Sequence, residues 1–93
     1  MKALYVHMTC FSYPSQWRAK LEDGRMLYAR YRWNNLTMQV SHSPTDDMLD
    51  VYDGITIFDQ DQKLDSDGEM STEQLQDITK DIIDWSECRT IWG

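Results

Sequence analysis

The chain has 93 residues, of which 41% are hydrophobic, and its 16 acidic and 9 basic side chains give a net charge of −7. One domain with a thin core fits this length, and the content of apolar and aromatic residues excludes a disordered acidic tail. Because no window approaches the roughly 20 apolar residues of a membrane span, and no basic segment leads into an apolar run, we expect a cytoplasmic protein that does not enter a membrane.

The first predicted element is a β-strand over residues 3–10. Apolar residues alternate from Leu4 to Cys10, which is the period of a strand with one buried face. His7 is assigned to the polar face of this strand. Cys10 and the distant Cys88 suit free thiols in a reducing compartment better than a disulfide.

The alternation that follows predicts a hairpin. A three-residue loop at 22–24, with glycine at the left-handed position, pairs Ala19 with Leu27 and Trp17 with Ala29. This register is preferred because it keeps the apolar residues on one face, whereas a slip of one residue would invert every side chain.

A second turn, at Asn34-Asn35, extends the hairpin into a meander, since asparagine tolerates positive φ. It pairs Tyr31 with Met38 and completes one apolar face: Trp17, Ala19, Leu21, Leu27, Ala29, Tyr31, Trp33, Leu36, Met38 and Val40. We expect Trp33, like Trp92, to be a core anchor rather than an exposed interface residue.

The opposite face of the meander combines cations with an aromatic ring: Arg18, Lys20, Tyr28, Arg30 and Arg32. Single-stranded nucleic-acid binders present such faces, because the rings stack on bases and the cations follow the phosphates. The alternative is that the acidic half of the chain covers this face.

Turn residues at 43–46 end the meander. Residues 49–57 then repeat the pattern of the first hairpin around Asp53-Gly54, which favours a second hairpin that pairs Val51 with Ile55. The alternative is a short helix capped by Ser43, with proline at its first position.

An amphipathic helix is predicted over about 72–87. Ser71 and Gln74 have the spacing of a capping box. At about 100° per residue, the acidic residues lie opposite the apolar ones: Glu73, Asp77, Asp81 and Asp84 against Leu75, Ile78, Ile82 and Trp85. The predicted fold is therefore a single α+β domain over 1–93, an antiparallel meander sheet of five or six strands with one C-terminal helix packed on one face.

Charge divides along the chain. Residues 1–45 carry six basic and two acidic side chains, a sum of +4, whereas residues 46–93 carry three basic and 14 acidic ones, a sum of −11. The acids expected to form a partner-binding surface are Asp59, Asp61, Asp65, Asp67, Glu69, Glu73, Asp77, Asp81 and Asp84. A field of this sign attracts basic surfaces and repels nucleic acid and anionic membranes.

Catalytic and metal-binding patterns are missing from the sequence. His7 and His42 are the only histidines, and neither belongs to a zinc or nucleophile motif. Residues 65–68 look like the middle of a calcium loop, but Lys63 and Gln74 occupy its first and twelfth positions, where Asp and Glu are required. We therefore expect no enzyme activity, cofactor or metal.

In size and charge, but in no residue motif, the chain resembles the small acidic proteins with which phages and plasmids block host defence or nucleic-acid enzymes. The leading hypothesis is a non-enzymatic, DNA-mimic-like inhibitor whose acids occupy a basic, nucleic-acid-binding groove of a partner protein. The alternatives are a nucleic-acid-binding module that uses the basic sheet face, and a homodimer that pairs exposed sheet edges.

Overall fold

A six-stranded mixed sheet with two short helices organises residues 1–91, which are the residues that the computed structural model describes. The strands are β1 (Ala3–Cys10), β2 (Ser15–Leu21), β3 (Met26–Arg32), β4 (Asn35–Val40), β5 (Ile55–Asp61) and β6 (Arg89–Ile91). The helices are α1 (Met48–Tyr52) and α2 (Thr72–Thr79). The strand order is β5-β4-β3-β2-β1-β6, so β5 and β6 are the edges.

The first two predicted strands and their hairpin are confirmed, but the predicted place of Leu4 on the buried face is wrong. An irregularity in the pairing between Ala3 and Tyr5 leaves Ala3 buried and Leu4 47% exposed. β1 has the predicted bounds, and β2 pairs with β3 so that Ala19 faces Leu27 and Trp17 faces Ala29. Gly24 occupies the left-handed position of the loop, with φ 90°. Alternation and turn chemistry were sufficient here because both act over a few neighbouring residues.

The predicted register between β3 and β4 is wrong by two residues. Tyr31 pairs with Leu36 rather than Met38, because the turn consists of Trp33 and Asn34, with φ of 56° and 60°. A two-residue turn with both φ positive matches the twist of the flanking strands. The shift preserves which face each strand residue occupies. It does place Trp33 in the turn instead of the core, so that 70% of the Trp33 surface is exposed. Trp92 lies outside the described residues.

The predicted second hairpin is also wrong. Residues 48–52 form α1, whose N-cap is Asp47 rather than Ser43, since the Asp47 carboxylate accepts a hydrogen bond from the Leu49 N–H at 2.9 Å. The chain then passes so close to β4 that a Cβ at Gly54 would lie 2.1 Å from the Val40 carbonyl oxygen. β5 begins after this close approach and pairs with β4.

The predicted C-terminal helix begins where expected but ends at Thr79 rather than near residue 87. Ser71 and Gln74 form both bonds of the capping box. Beyond Thr79 the chain turns back to the open edge of β1. There the backbone of Asp84 forms an isolated parallel β-bridge with that of Lys2, and β6 then pairs in parallel with β1. This pairing makes the sheet mixed, so the prediction of a purely antiparallel sheet with one helix needs correction.

The hydrophobic core lies between the apolar face of the sheet and residues 62–88, which we call the covering segment. Met70, Leu75 and Ile83 of this segment are buried in the same cluster as the apolar strand residues. The indole N–H of Trp17 donates to the Thr72 hydroxyl at 3.0 Å and joins the two layers. The other face of the sheet, called the outer face below, is therefore not covered by α2.

Candidate functional site

Seven of the nine predicted acids lie on the covering segment, and all seven are exposed: Asp65, Asp67, Glu69, Glu73, Asp77, Asp81 and Asp84. We call these seven carboxylates the acidic layer. They point away from the sheet because the apolar residues of the same segment are buried against it. Only Glu73 and Asp77 belong to α2 itself; the predicted continuous helical stripe ends there, and Asp81 and Asp84 follow in the turn toward β6.

The acidic layer is almost unneutralised. In the described part of the chain the ion pairs join Lys2 to Glu87, Lys20 to Asp46, Arg25 to Asp23, and Lys80 to Asp77. Of the seven carboxylates only Asp77 is paired, at 3.4 Å from an equally exposed ammonium. Exposed pairs of this kind contribute little. The layer therefore presents a negative field to solvent.

Within the acidic layer, local hydrogen bonds hold one carboxylate firmly ionised. The Ser86 hydroxyl and then the Ser86 N–H lower the pKa of Asp84, with bond lengths of 2.6 and 2.9 Å. Lys2 and the N-terminal ammonium act in the same direction. Asp84 therefore keeps its charge to a lower pH than an aspartate without these contacts.

The remaining two predicted acids are separate from this layer. Asp59 and Asp61 lie on β5 and point to the outer face, opposite Thr37 and Asn35. The Asn35 amide donates to both carboxylates at 3.0 Å. The structure thus divides the predicted acidic surface between the two sides of the sheet.

The predicted basic residues do share the outer face, as the strand register requires. Arg18 lies opposite Tyr28, Arg30 opposite Gln16 and Thr37, and Arg32 opposite Asn35. Arg18 and Arg30 form no ion pair within residues 1–91. Across the sheet, Asp59 lies in one row with Thr37 and Arg30, and Asp61 in one row with Asn35 and Arg32. The charge of the outer face is therefore negative at β5 and positive at β3.

Residues 45–52 occupy part of the outer face. The Lys20 ammonium donates to the Thr45 carbonyl at 2.8 Å and to Asp46 at 2.5 Å, and this contact lowers the pKa of Asp46. The ring of Tyr52 meets Tyr28 edge-on, with centroids 5.3 Å apart. Two of the five predicted nucleic-acid contacts, Lys20 and Tyr28, are therefore already engaged within the chain.

Burial also affects Tyr28 directly. Loss of solvent raises its pKa, the neighbouring Tyr52 adds to this effect, and Arg30 opposes it. The Gln16 amide donates to the Tyr28 hydroxyl oxygen at 2.7 Å. Tyr28 is thus a packed, hydrogen-bonded residue rather than an open stacking platform.

Sequence reasoning missed three exposed aromatic residues at one end of the sheet. Phe11, Tyr13 and Trp33 expose 57%, 60% and 70% of their surfaces. The sequence carries no prediction for Phe11 or Tyr13, and its alternation predicts Trp33 in the core. A signal was present at Trp33, since it stands directly before an asparagine that favours positive φ.

The described surface has depressions and two free thiols. The depressions in the surface are shallow; one is lined by Met8, Phe11, Glu69, Met70, Ser71 and Gln74. No group of three or more His, Cys, Asp or Glu side chains within 1–91 is arranged to hold a metal ion. Cys10 and Cys88 are free and half-buried, and burial raises the pKa of the Cys88 thiol.

Neither helix of the described chain is long and apolar enough to cross a membrane. Comparison of the chain with protein-family models, curated protein sequences and solved structures gave no match.

Proposed function

We propose that the protein is a non-enzymatic binding module whose acidic layer occupies a basic, nucleic-acid-binding groove of a partner protein. The observation that supports this proposal is the exposure of seven carboxylates on one segment, of which only Asp77 has a cation of residues 1–91 within ion-pair distance. A basic groove would supply the missing counter-charges, and complementary potentials accelerate association and select partners.

The number of charges suits a substitute for nucleic acid. The covering segment connects β5 at one sheet edge to β6 at the other. Five inter-strand spacings correspond to about 24 Å. One DNA strand carries about seven phosphates over that length. The acidic layer supplies seven carboxylates between the same two edges, so a groove that binds a single strand would find a similar amount of negative charge.

Charge reversal on the acidic layer tests the proposal. Asp77→Lys with Asp81→Lys should weaken partner capture from an extract of the source organism and reduce its salt dependence. The matched control is Glu22→Lys with Asp53→Lys, which changes the net charge equally at exposed positions outside the covering segment. The captured proteins should bind nucleic acid and be released by added oligonucleotide. Equal capture by both double variants, or no release, would contradict the proposal.

A second function is supported by the outer face, where α2 leaves Arg18 and Arg30 accessible. We propose single-stranded nucleic-acid binding as this alternative. Filter binding with single-stranded DNA and RNA at low salt distinguishes the two, since the alternative predicts retention that Arg30→Glu abolishes. The leading proposal predicts no retention, because the net charge is −7.

Self-association through the edge strands β5 and β6 stays a prediction. A homodimer would appear in light scattering as twice the mass of 11.1 kDa. It is compatible with either proposal.

A further inference from the structure

The three exposed aromatic residues share one end of the sheet. Phe11 and Tyr13 lie in the loop between β1 and β2, and Trp33 lies in the turn between β3 and β4. β1 and β3 run in the same direction because each is antiparallel to β2, so both connections emerge at the same end. We call Phe11, Tyr13 and Trp33 the aromatic end.

The covering segment holds both connections in place. The Tyr13 N–H donates to the Gly68 carbonyl at 2.7 Å, and the Asn34 N–H donates to the preceding carbonyl, that of Asp67, at 2.9 Å. The Tyr13 ring lies so close to Gly68 that a Cβ there would be 2.3 Å from it. The two loops are therefore fixed relative to each other before any partner binds, which lowers the entropic cost of association.

The backbone at the aromatic end is unfavourable for these side chains. Tyr13, Trp33 and Asn34 are the non-glycine residues with positive φ in the described chain, at 50°, 56° and 60°. Asparagine tolerates this region, but bulky aromatic residues seldom adopt it, and turns of this type prefer Asn-Gly. Two large rings thus stand exposed where smaller residues would fold more favourably. Such local conflicts concentrate at functional positions.

The Trp33 ring is also oriented. The guanidinium of Arg32 lies 5.0 Å from the ring centroid, a cation–π contact that restricts the indole. Three acids adjoin the aromatic end: Asp61 pairs with Asn35 beside the turn, Asp67 accepts from the Asn34 N–H through its carbonyl, and Glu69 lines a depression together with Phe11. Asp65 lies on the same stretch of chain, and the neighbouring cations in the sequence are Arg32 and Lys63. The rim therefore has a negative sum.

We infer that the aromatic end anchors a protein interface, and that the surface it fits is basic, with Lys or Arg side chains around an apolar recess. Interfaces are centred on exposed Trp and Tyr residues that become desolvated, and the charged rim selects the partner. The sign of the partner's charge rests on the proposed function; the position of the anchor does not. Rings next to an arginine also stack on nucleic-acid bases, but the acidic rim opposes phosphates.

Trp33→Asn separates folding from binding. Asparagine favours the left-handed turn, so the melting temperature should be unchanged or higher, while binding should fall on the order of tenfold or more. Leu49→Gln is the control. Leu49 exposes 68% of its surface, and it lies on α1, which connects β4 to β5 at the end of the sheet opposite the aromatic end.

The probe is a library of short random peptides, displayed on phage and selected on the immobilised full chain. We expect enriched peptides to combine Lys or Arg with apolar residues, and to lose affinity for Trp33→Asn but not for Leu49→Gln. Peptides without cations, peptides that bind Trp33→Asn equally well, or no enrichment would overturn the inference.

Two further outcomes show which part of the inference is wrong, the aromatic anchor or the protein partner. Peptides that lose affinity for the Asp77→Lys, Asp81→Lys protein but not for Trp33→Asn would overturn the aromatic anchor and leave the proposed function standing. Binding of a thymidine oligonucleotide at low salt that Trp33→Asn abolishes would overturn the protein partner, and would assign the aromatic end to base stacking.

Discussion

Ser15 is the residue whose loss should most directly loosen the aromatic end. Its side chain is fully buried; the hydroxyl donates to the Phe11 carbonyl at 2.6 Å and accepts from the Met70 N–H at 3.0 Å. It therefore ties the loop between β1 and β2 to the covering segment. Ser15→Ala removes one oxygen and leaves the packing volume nearly unchanged.

The expected loss of stability follows from these two bonds. The Met70 N–H is buried, and a buried donor without an acceptor costs about 1–3 kcal/mol. The Phe11 carbonyl belongs to an exposed residue, so water replaces its partner at a smaller loss of about 0.5–1.5 kcal/mol. Ser15→Ala should therefore lower the free energy of unfolding by about 1.5–4.5 kcal/mol, a large part of the 5–15 kcal/mol that is usual for a domain.

Urea denaturation monitored by circular dichroism measures this loss as a lower midpoint with an unchanged slope. The melting temperature should fall by at least about 6 °C for a domain of this size. Ser43→Ala is the control, because Ser43 is exposed and only its carbonyl accepts a hydrogen bond. It should change stability by less than about 0.5 kcal/mol. If Ser15→Ala lost no more stability than Ser43→Ala, the covering segment would not depend on the Ser15 hydroxyl.

Other contacts give further expectations. Ser71→Ala removes the N-cap of α2 and should lower the free energy of unfolding by about 1 kcal/mol in the same assay; no loss would mean that the capping box is not formed in solution. Leu75→Ala empties a fully buried core position and should cost about 2–5 kcal/mol, whereas Leu49→Ala, at an exposed position, should cost far less. Burial raises the pKa of Tyr28 and of Tyr31, so above about pH 10 the unfolded chain releases these protons first. Stability should therefore be retained below that pH and lost as the pH rises through the folded-state values, and Tyr28→Phe should reduce the loss; an unchanged alkaline profile would contradict this assignment.

The meander could be read from the sequence because its determinants are local. Alternation and the loop that ends at Gly24 fix the first hairpin, and the capping box fixes the start of α2. The parallel pairing of β6 with β1 depends on residues about 85 positions apart, which no periodicity reports. That pairing also ends the helical pattern early, because tertiary contacts override helix propensity.

The candidate site was predictable to a similar extent. The exposure of the predicted acids follows from helix amphipathicity and from a polar run of sequence. The aromatic end was missed because a tryptophan beside apolar strand residues looks like a core residue. Its exposure depends on a register difference of two residues, which preserves every face and is invisible to the hydrophobic pattern.

The covering segment carries both the acidic layer and the residues that close the core. If this segment opened locally, the acidic layer would lose its arrangement and the apolar face of the sheet would be exposed at the same time. The conformation that presents the acidic layer is therefore the one in which the core is closed. A partner that bound the acidic layer would therefore also stabilise the core. At a concentration one hundred times its dissociation constant, it would raise the free energy of opening the covering segment by about 2.7 kcal/mol. Amide hydrogens of β2 and β3, whose apolar residues lie beneath the covering segment, should then exchange more slowly in such a complex.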